Sequence, residues 1–399
     1  MRCQRVLLLS VVVTALIMGV RYLGMLKSWE LQAFDQLVRL RPDERPDPRL
    51  LVVTVTEDDF QLPQQQDRRG SSLSDQALAQ VLSQLGQFKP IAIGLDILRY
   101  FPASPNQPEL ATSMRKNNFF AVCRNSERSQ DPGSYAPPEV PTERQGFSNV
   151  VEDADGILRR HLIAIKPDPT SPCTTPYSFS AQLAFHYLEA EGISPKYTKK
   201  GDLQLGKFIF KRLQPHTGGY QKIYAREYQT LLNYRSYQHS PLKIAQQVSL
   251  KDVLNGKVKA EQVSGRIVLI GVTATSLHDY FLTPYVNEQG RNQLIPGVIA
   301  QAQMVSQMLS AVLDERLLLW VWPQWGEVLW VWGWSVVGGM LVWRFRSPLH
   351  LGLAIAASEV CLYGLCFGLL TQSGCWVPLI PSALALVATS TTVAAYTKH

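Results

Sequence analysis

No C-x-x-C pair occurs anywhere in the sequence, which excludes a zinc ribbon. Also absent are the G-x-S-x-G nucleophile elbow, the H-E-x-x-H metalloprotease helix and the G-x-x-x-x-G-K-[ST] phosphate loop. The formal net charge is +7, yet the lysines and arginines are dispersed and form no basic helix or aromatic-basic module. Nucleic acid is therefore not an expected partner. Cysteine is scarce, with six among 399 residues. Cys3 precedes the first apolar run, and Cys361, Cys366 and Cys375 lie in the C-terminal apolar region. Only Cys123 and Cys173 fall between. They can pair if that part lies outside the cytoplasm. A disulfide and two unpaired buried thiols both fit the sequence, because Cα separation decides.

Two ends of the chain are strongly apolar, and the middle has ordinary globular composition. Residues 6–26 can cross a hydrocarbon core of about 30 Å at about 1.5 Å per residue. Arg21 falls near the far end, where its long side chain is expected to snorkel to the headgroups. No A-x-A-like cleavage site follows, which favours an uncleaved anchor over a signal peptide. Three further spans are expected at residues 326–343, 349–370 and 377–396. Trp320, Trp322 and Trp325 suit an outer aromatic belt, and Trp343 suits the inner one. Arg2, Arg5, Arg344, Arg346 and Lys398 flank the spans and place both chain ends in the cytoplasm. Glu327 is tolerable near the outer boundary. Gly364-x-x-x-Gly368 is either a helix-packing face or ordinary lipid-facing glycine. The expected division is 1–26 as cytoplasmic N-terminus and first span, 27–324 as an extracytoplasmic domain, and 325–399 as three spans with a short cytoplasmic tail.

Between the spans, apolar periodicity predicts alternating strands and helices. Residues 29–40 place Leu31, Phe34, Leu37 and Val38 on one helical stripe. Residues 50–56 (L-L-V-V-T-V-T) read as a buried strand. Ser74 is an N-cap ahead of Leu78, Val81, Leu82 and Leu85, and Gly86 stops that helix. Residues 91–95 are the next strand, which makes a βαβ unit with parallel strands. A strand is expected at 118–123 and a loop at 131–141. Residues 146–151 and 157–165 flank Asp155-Gly156 and predict an antiparallel hairpin. Residues 178–190 read as a helix, 231–234 as a short strand, and 250–255 as a helical turn. Residues 267–270 are an unbroken apolar run, the mark of a strand buried on both faces. Pro296 starts a helix carrying Val298, Ala302, Val305, Leu309 and Val312 on one face. The fold class is α/β, a mixed sheet with flanking helices, plus four transmembrane helices.

Three strand ends carry candidate chemistry: Glu57, Asp58 and Asp59; Asp96; and Thr273, Thr275, Ser276, His278 and Asp279. In open α/β sheets, ligands collect beyond the carboxyl ends of strands. Carboxylates with hydroxyls suit a hard cation, or a cationic or polyhydroxylated small molecule. The plainer alternative is that these acids cap helices or satisfy loop amides. Thr, Ser, His and Asp in one stretch hint at catalysis, but a triad needs a nucleophile–base bond and an oxyanion hole. No catalytic role, metal site or cofactor is expected. Arg159, Arg160 and His161 either bind an anion or line a solvated strand face.

Several segments, in order, resemble the CHASE2 family of bacterial extracytoplasmic sensor domains. They are Asp35; V-V-T-V-T-E-D-D-F at 52–60; I-A-I-G-L-D-I at 91–97; G-F-S-N-V-V-E-D-A-D-G-I-L-R-R at 146–160; and L-N-Y-R at 232–235. The longest is I-V-L-I-G-V-T-A-T-S-L-H-D-Y-F-L-T-P-Y at 267–285, followed by I-P-G-V at 295–298. One span before the domain and three after it also resemble that family. The chain departs at 64–70, where Q-Q-Q-D-R-R-G replaces a tryptophan, proline and arginine patch, and at Gln301, where the family usually has histidine. The resemblance implies a multi-pass inner-membrane receptor that detects an extracytoplasmic ligand. It also implies a cytoplasmic signalling output, from a partner or from a longer chain beyond His399, and self-association. A tethered hydrolase and a structural subunit of a membrane complex are the alternatives.

Overall fold

The computed structural model describes residues 2–126, 131–286 and 289–397. Lys398 lies outside them, as do the side chains of Arg2, Cys3 and Arg5. The chain gathers into two compact units. One comprises Met1–Arg41, Leu213–Ala225 and Leu317–His399; the other comprises Pro42–Arg212 and Arg226–Arg316. The amphipathic segment expected to begin the soluble domain thus belongs with the apolar helices, and so does an internal stretch that composition does not mark.

The chain opens with α1 (Arg2–Tyr22) and α2 (Lys27–Arg39). Their axes bend by 91°, with Gly24 at φ +88° in the break. Few residues but glycine adopt that conformation cheaply. α2 buries Leu31, Phe34, Leu37 and Val38, the stripe the sequence predicts.

The second unit then builds a parallel sheet. β1 (Leu50–Val55) is followed by α3 (Asp75–Gly86), which Ser74 caps by accepting the Ala77 N–H at 3.1 Å. β2 (Ala92–Asp96), α4 (Pro108–Met114), β3 (Phe119–Cys123) and β4 (Gln145–Phe147) follow. β5 (Arg160–Ala164) leads to α5 (Phe179–Ala190), capped by Ser178. A small meander, β6 (Pro195–Tyr197), β7 (Leu203–Leu205) and β8 (Phe208–Phe210), precedes β9 (Tyr228–Leu231). β10 (Gln246–Ser249), α6 (Leu250–Leu254) and α7 (Ala260–Val263) lead to β11 (Ile267–Val272). β12 (Tyr280–Val286), β13 (Asn292–Pro296) and α8 (Gly297–Leu313) complete the unit.

The main sheet runs β10-β1-β11-β2-β3-β4, and every pairing in it is parallel. The expected mixed sheet is therefore a parallel sheet with antiparallel pairs set apart, β5–β9 and β12–β13 among them. The reason is burial on both faces. Leu51, Val53, Val55, Ile93, Leu95, Val268 and Ile270 pack with α3, α4 and α6 on one side. On the other side α5 and α8 press so close that a Cβ on Gly94 would lie 2.6 Å from Phe179, and one on Gly271 2.4 Å from Val298.

The predicted hairpin at 146–165 forms only at its turn end. There the Gly156 N–H bonds the Asp153 carbonyl at 2.8 Å, with Gly156 at φ +76°, and the Asp153 N–H bonds the Ile157 carbonyl at 3.0 Å. The arms part after the Val151–Arg160 bridge. β4 joins the parallel sheet at its edge, and β5 pairs with β9 instead. Cys123 and Cys173 are disulfide-bonded, with Cα atoms 5.4 Å apart across 50 residues of sequence. The bridge ties the end of β3 to the segment before α5. Cys173→Ala is expected to lower stability by about 2–4 kcal/mol, read as a drop in the urea midpoint that reductant reproduces in the wild type.

In the first unit, β14 (Trp320–Val321) pairs with β15 (Cys375–Trp376), and α9 (Gln324–Arg344), α10 (Pro348–Ser373) and α11 (Leu379–Thr397) carry the apolar C-terminal region. α9 packs against α1 and α11, and α10 packs against α11. A Cβ on Gly338 would stand 2.2 Å from the Leu386 carbonyl oxygen, so this glycine permits the α9–α11 approach. Gly364 and Gly368 have no atom within 4 Å of a built Cβ, so that motif packs against no described residue.

Among the described residues two helices, α10 and α11, are long and apolar enough to cross a membrane, or three if the bent α1–α2 pair makes one span. Four were expected. α9 falls short because five of its residues are tryptophans, whose indole N–H suits an interface better than a lipid core. Arg21 does not snorkel: it is buried and held by Glu30 and Glu327 at 2.9 and 2.6 Å.

Candidate functional site

Register brings the predicted strand ends to one edge. Val55 pairs with Val272, and Asp96 with Gly271, so β1, β11 and β2 finish level. β3 ends beside them, since Leu95 pairs with Ala121, and Arg124 follows.

The acids after β1 serve the backbone. Asp59 is buried and accepts from the Thr56 N–H and hydroxyl, both at 2.8 Å, and from the Lys251 N–H at 2.9 Å. It joins the end of β1 to the first turn of α6. Glu57 accepts from the Ser276 N–H at 2.8 Å and the Ser276 hydroxyl at 3.0 Å, with Thr275 at 3.5 Å. The Ser276 backbone donor, more than any other group, holds the Glu57 carboxyl below the usual range. Asp58 is exposed. Of the residues picked from sequence, Asp59, Thr275 and Ser276 are thus occupied by hydrogen bonds within the chain. Ser276 donates to a carboxylate, and no hydroxyl in 273–279 bonds a histidine among the described residues. His278 is exposed, in the left-handed region at φ 54°. Thr273 accepts the Tyr280 hydroxyl on its carbonyl at 2.5 Å, and its own hydroxyl reaches the Val55 carbonyl at 3.4 Å.

Asp96 and Asp279 are the pair that geometry sets apart. Asp96 extends from the end of β2 on the α5/α8 side, because Leu95 and Ile97 occupy the opposite core. Asp279 follows the turn after β11 and lies on the first residue of α8. Its backbone carbonyl accepts the Gly297 N–H at 3.0 Å, and a Cβ on Gly297 would fall 2.2 Å from its Oδ2. Burial pushes the Asp96 carboxyl well above the usual carboxylate range, and the nearby charge of Asp279 pushes it further. Asp279 is an exposed residue, yet the protein crowded around its carboxyl raises it too, and Arg124 pulls it partway back. Arg124 itself pairs with Asp131 at 2.8 Å.

Two carboxyl groups do not make the cage of six to eight oxygens that calcium requires. Among the described residues no group of three His, Cys, Asp or Glu side chains is placed to hold a metal ion. The pair suits a proton or an amine, which satisfies adjacent acceptors without a full coordination shell.

Neither sequence alternative for Arg159, Arg160 and His161 holds. All three are buried, and the arginines bind carboxylates of their own chain: Arg159 to Asp153 and Asp155, Arg160 to Asp153. His161 contacts the Ser180 hydroxyl through Nε2 at 3.0 Å, and burial pushes its pKa down to about 3. Sequence reasoning also missed Arg99, fully buried beside α3, because a single arginine after a strand carries no periodic signal.

Neither the curated proteins nor the solved structures contain a match to the chain. A family model does match, that of the CHASE2 domain, across residues 12–340, and the alignment takes in the parallel sheet, the Asp96–Asp279 edge and the helices on both sides of them. CHASE2 domains are extracytoplasmic sensors, and this chain belongs to the CHASE2 family.

Proposed function

We propose that the protein is a non-catalytic membrane receptor whose sheet-bearing unit faces the outside of the cell and binds a small cationic ligand between Asp96 and Asp279. The single observation behind this is the pair itself. The Asp96 carboxyl at the end of β2 lies close enough to Asp279, on the turn after β11, for the charge of one to raise the proton affinity of the other, at the edge where such sheets bind ligands. Ser276, held by Glu57, supports a binding role over a hydrolytic one. The N-terminal and C-terminal apolar helices, α1, α9, α10 and α11, form four spans in this reading, with both chain ends in the cytoplasm. α8 runs from the Asp279 contact to Leu313, shortly before the chain enters the first unit, so occupancy at Asp279 biases the position of α8 and through it the spans. The output is a cytoplasmic partner or domain, and self-association brings two such outputs together.

Orientation is tested by an epitope inserted at Gly201, where the chain turns with nothing within 4 Å of a built Cβ. The epitope is expected to be protease-accessible in intact spheroplasts; protection there, with exposure only after lysis, overturns the receptor reading.

The site is tested with Asp96→Asn and Asp279→Asn in the full chain in nanodiscs. Putrescine and ethanolamine are expected to raise the wild-type Tm and to leave both variants unmoved. A raised folded pKa means that the native state binds more protons than the unfolded state just above the ordinary aspartate range. Stability from this pair is then present at low pH and lost as pH rises through the raised values. Asp96→Asn removes that loss and is expected to stabilise the protein at pH 7 by about 0.5–2 kcal/mol. A variant less stable than wild type at pH 7, or an amine response that survives both substitutions, removes the pair from the mechanism.

A further inference from the structure

Fifteen buried side-chain nitrogen or oxygen atoms lack a hydrogen-bond partner among the described residues, and six of them gather beside the N-terminus of α3. They are Nε and Nη1 of Arg99, Oε1 of Gln64, Nε2 of Gln65, Oγ of Ser72 and Oε2 of Glu139. Hydrogen bonds and an ion pair tie the surrounding residues into one patch. Arg99 Nη2 reaches Asp75 Oδ1 at 2.7 Å, and Asp75 Oδ2 accepts the Ser104 N–H at 2.5 Å. The neighbouring Ala103 N–H donates to Glu139 Oε1 at 2.8 Å. Gln65 Oε1 accepts the Ser74 N–H, also at 2.8 Å. The α3 N-terminus alone would mean little, but Arg99 is 0% exposed and still leaves two of its three nitrogens without a partner.

Buried polar atoms are nearly always paired, and a concentration of exceptions calls for a missing partner. The composition of this set selects the partner. An anion would need donors only, and Asp75 and Glu139 already oppose it. A metal or an amine would need acceptors only, and Arg99 opposes those. The orphans comprise three nitrogen donors, two oxygen acceptors and a hydroxyl that serves as either. Vicinal hydroxyls donate and accept in the same way. Phe101 lies under the Arg99 guanidinium at 4.2 Å, and Tyr100, edge-on to Phe101, is 69% exposed, an aromatic face for the apolar side of a ring.

We propose that Arg99, Glu139 and the 64–72 segment form a second ligand site, for a neutral polyhydroxylated molecule of saccharide type, closed over itself in this structure. It is distinct from the Asp96–Asp279 pair. Ile97 packs into the core on the α3 side, whereas Asp96 points to the α5/α8 side of the sheet. The segment over Arg99 opens to admit the ligand, whose hydroxyls then satisfy the orphaned atoms.

The full chain in nanodiscs is titrated with trehalose, sucrose and myo-inositol, with dextran as a polymeric source of the same chemistry. Glycerol at equal osmolarity, inorganic phosphate and glutamate serve as controls. A saturable Tm rise is expected from at least one polyol, about 3 °C per tenfold excess over Kd. Response to dextran alone assigns the site to a polymer, and response to the small sugars assigns it to a free solute. Glu139→Gln keeps the bond from Ala103 and turns the other acceptor into a donor, so it is expected to fold normally and lose the response. Ser72→Ala deletes one orphan and is expected to raise the ligand-free Tm while weakening the response. Asp96→Asn is expected to leave it intact. A rise that never saturates, that glycerol matches or that Glu139→Gln retains overturns the proposal. So does a response to phosphate or glutamate in place of the polyols, or the absence of any response.

Discussion

Arg21→Met is expected to destabilise the first unit by about 3–5 kcal/mol, because it strands two buried carboxylates. The Arg21 guanidinium lies at the end of α1. Its Nε donates to both oxygens of Glu30 at 2.9 and 3.1 Å, its Nη1 to Glu327 at 2.6 Å, and its Nη2 to the Gly218 carbonyl at 2.7 Å. The side chains are only 4% and 2% exposed. Water therefore cannot replace the lost charge. One guanidinium thereby fastens α1, α2, α9 and the inserted stretch Leu213–Ala225. The triple variant Arg21→Met, Glu30→Gln, Glu327→Gln removes the charges together and is expected to recover most of the loss, since a buried ion cluster contributes more to register than to net stability. Thermal unfolding of the three proteins in nanodiscs decides the matter. If Arg21→Met alone melts like wild type, the cluster is open to solvent and does not hold the helices.

Much of the soluble fold was legible because its signals are local. β1 and β11 announce themselves as runs rich in β-branched residues, and α3 and α5 are opened by serines whose hydroxyls accept the N–H three residues on. β10 was missed because an edge strand reads as polar: Gln246 and Gln247 are exposed. β6, β7 and β8 have three residues each, too few to show alternation. The hairpin error has the same root. Asp-Gly specifies a turn, but the arms find their partners elsewhere, the first on β3 and the second on β9, over sixty residues downstream. In the site, strand ends were predictable and partners were not. Asp96 and Asp279 lie at the edge where β2 and β11 end, near enough for the Asp279 charge to raise the Asp96 carboxyl. The capture of Ser276 by Glu57 is a contact across 219 residues, and no spacing in the sequence encodes it.

Asp153 is a buried acid of the second unit on which two arginines depend. Its two oxygens hold two arginines at 2.8 Å each, Arg159 through Nη1 and Arg160 through Nε. The Asp153 side chain is 1% exposed, against 0% and 6% for the arginines. Arg160 continues to Gln229 on β9 at 2.7 Å, so the carboxylate connects the 153–156 turn to the β5–β9 pair. Asp153→Asn is expected to cost about 3–5 kcal/mol, the loss typical when a buried ion pair is broken from one side. Asp155 is the internal control. It bonds the same Arg159 at 2.7 Å, but its side chain is 42% exposed, and Asp155→Asn is expected to cost about 1 kcal/mol or less. Urea unfolding of the two variants, with amide exchange at Thr230 and Leu231 as the local reporter, separates them. Equal midpoints would mean that water reaches Asp153 and that the arginines are not buried charges in solution. The expected order, Asp153 far above Asp155, follows from burial and from the second arginine, since the two acids share Arg159 and a turn but only Asp153 also holds Arg160.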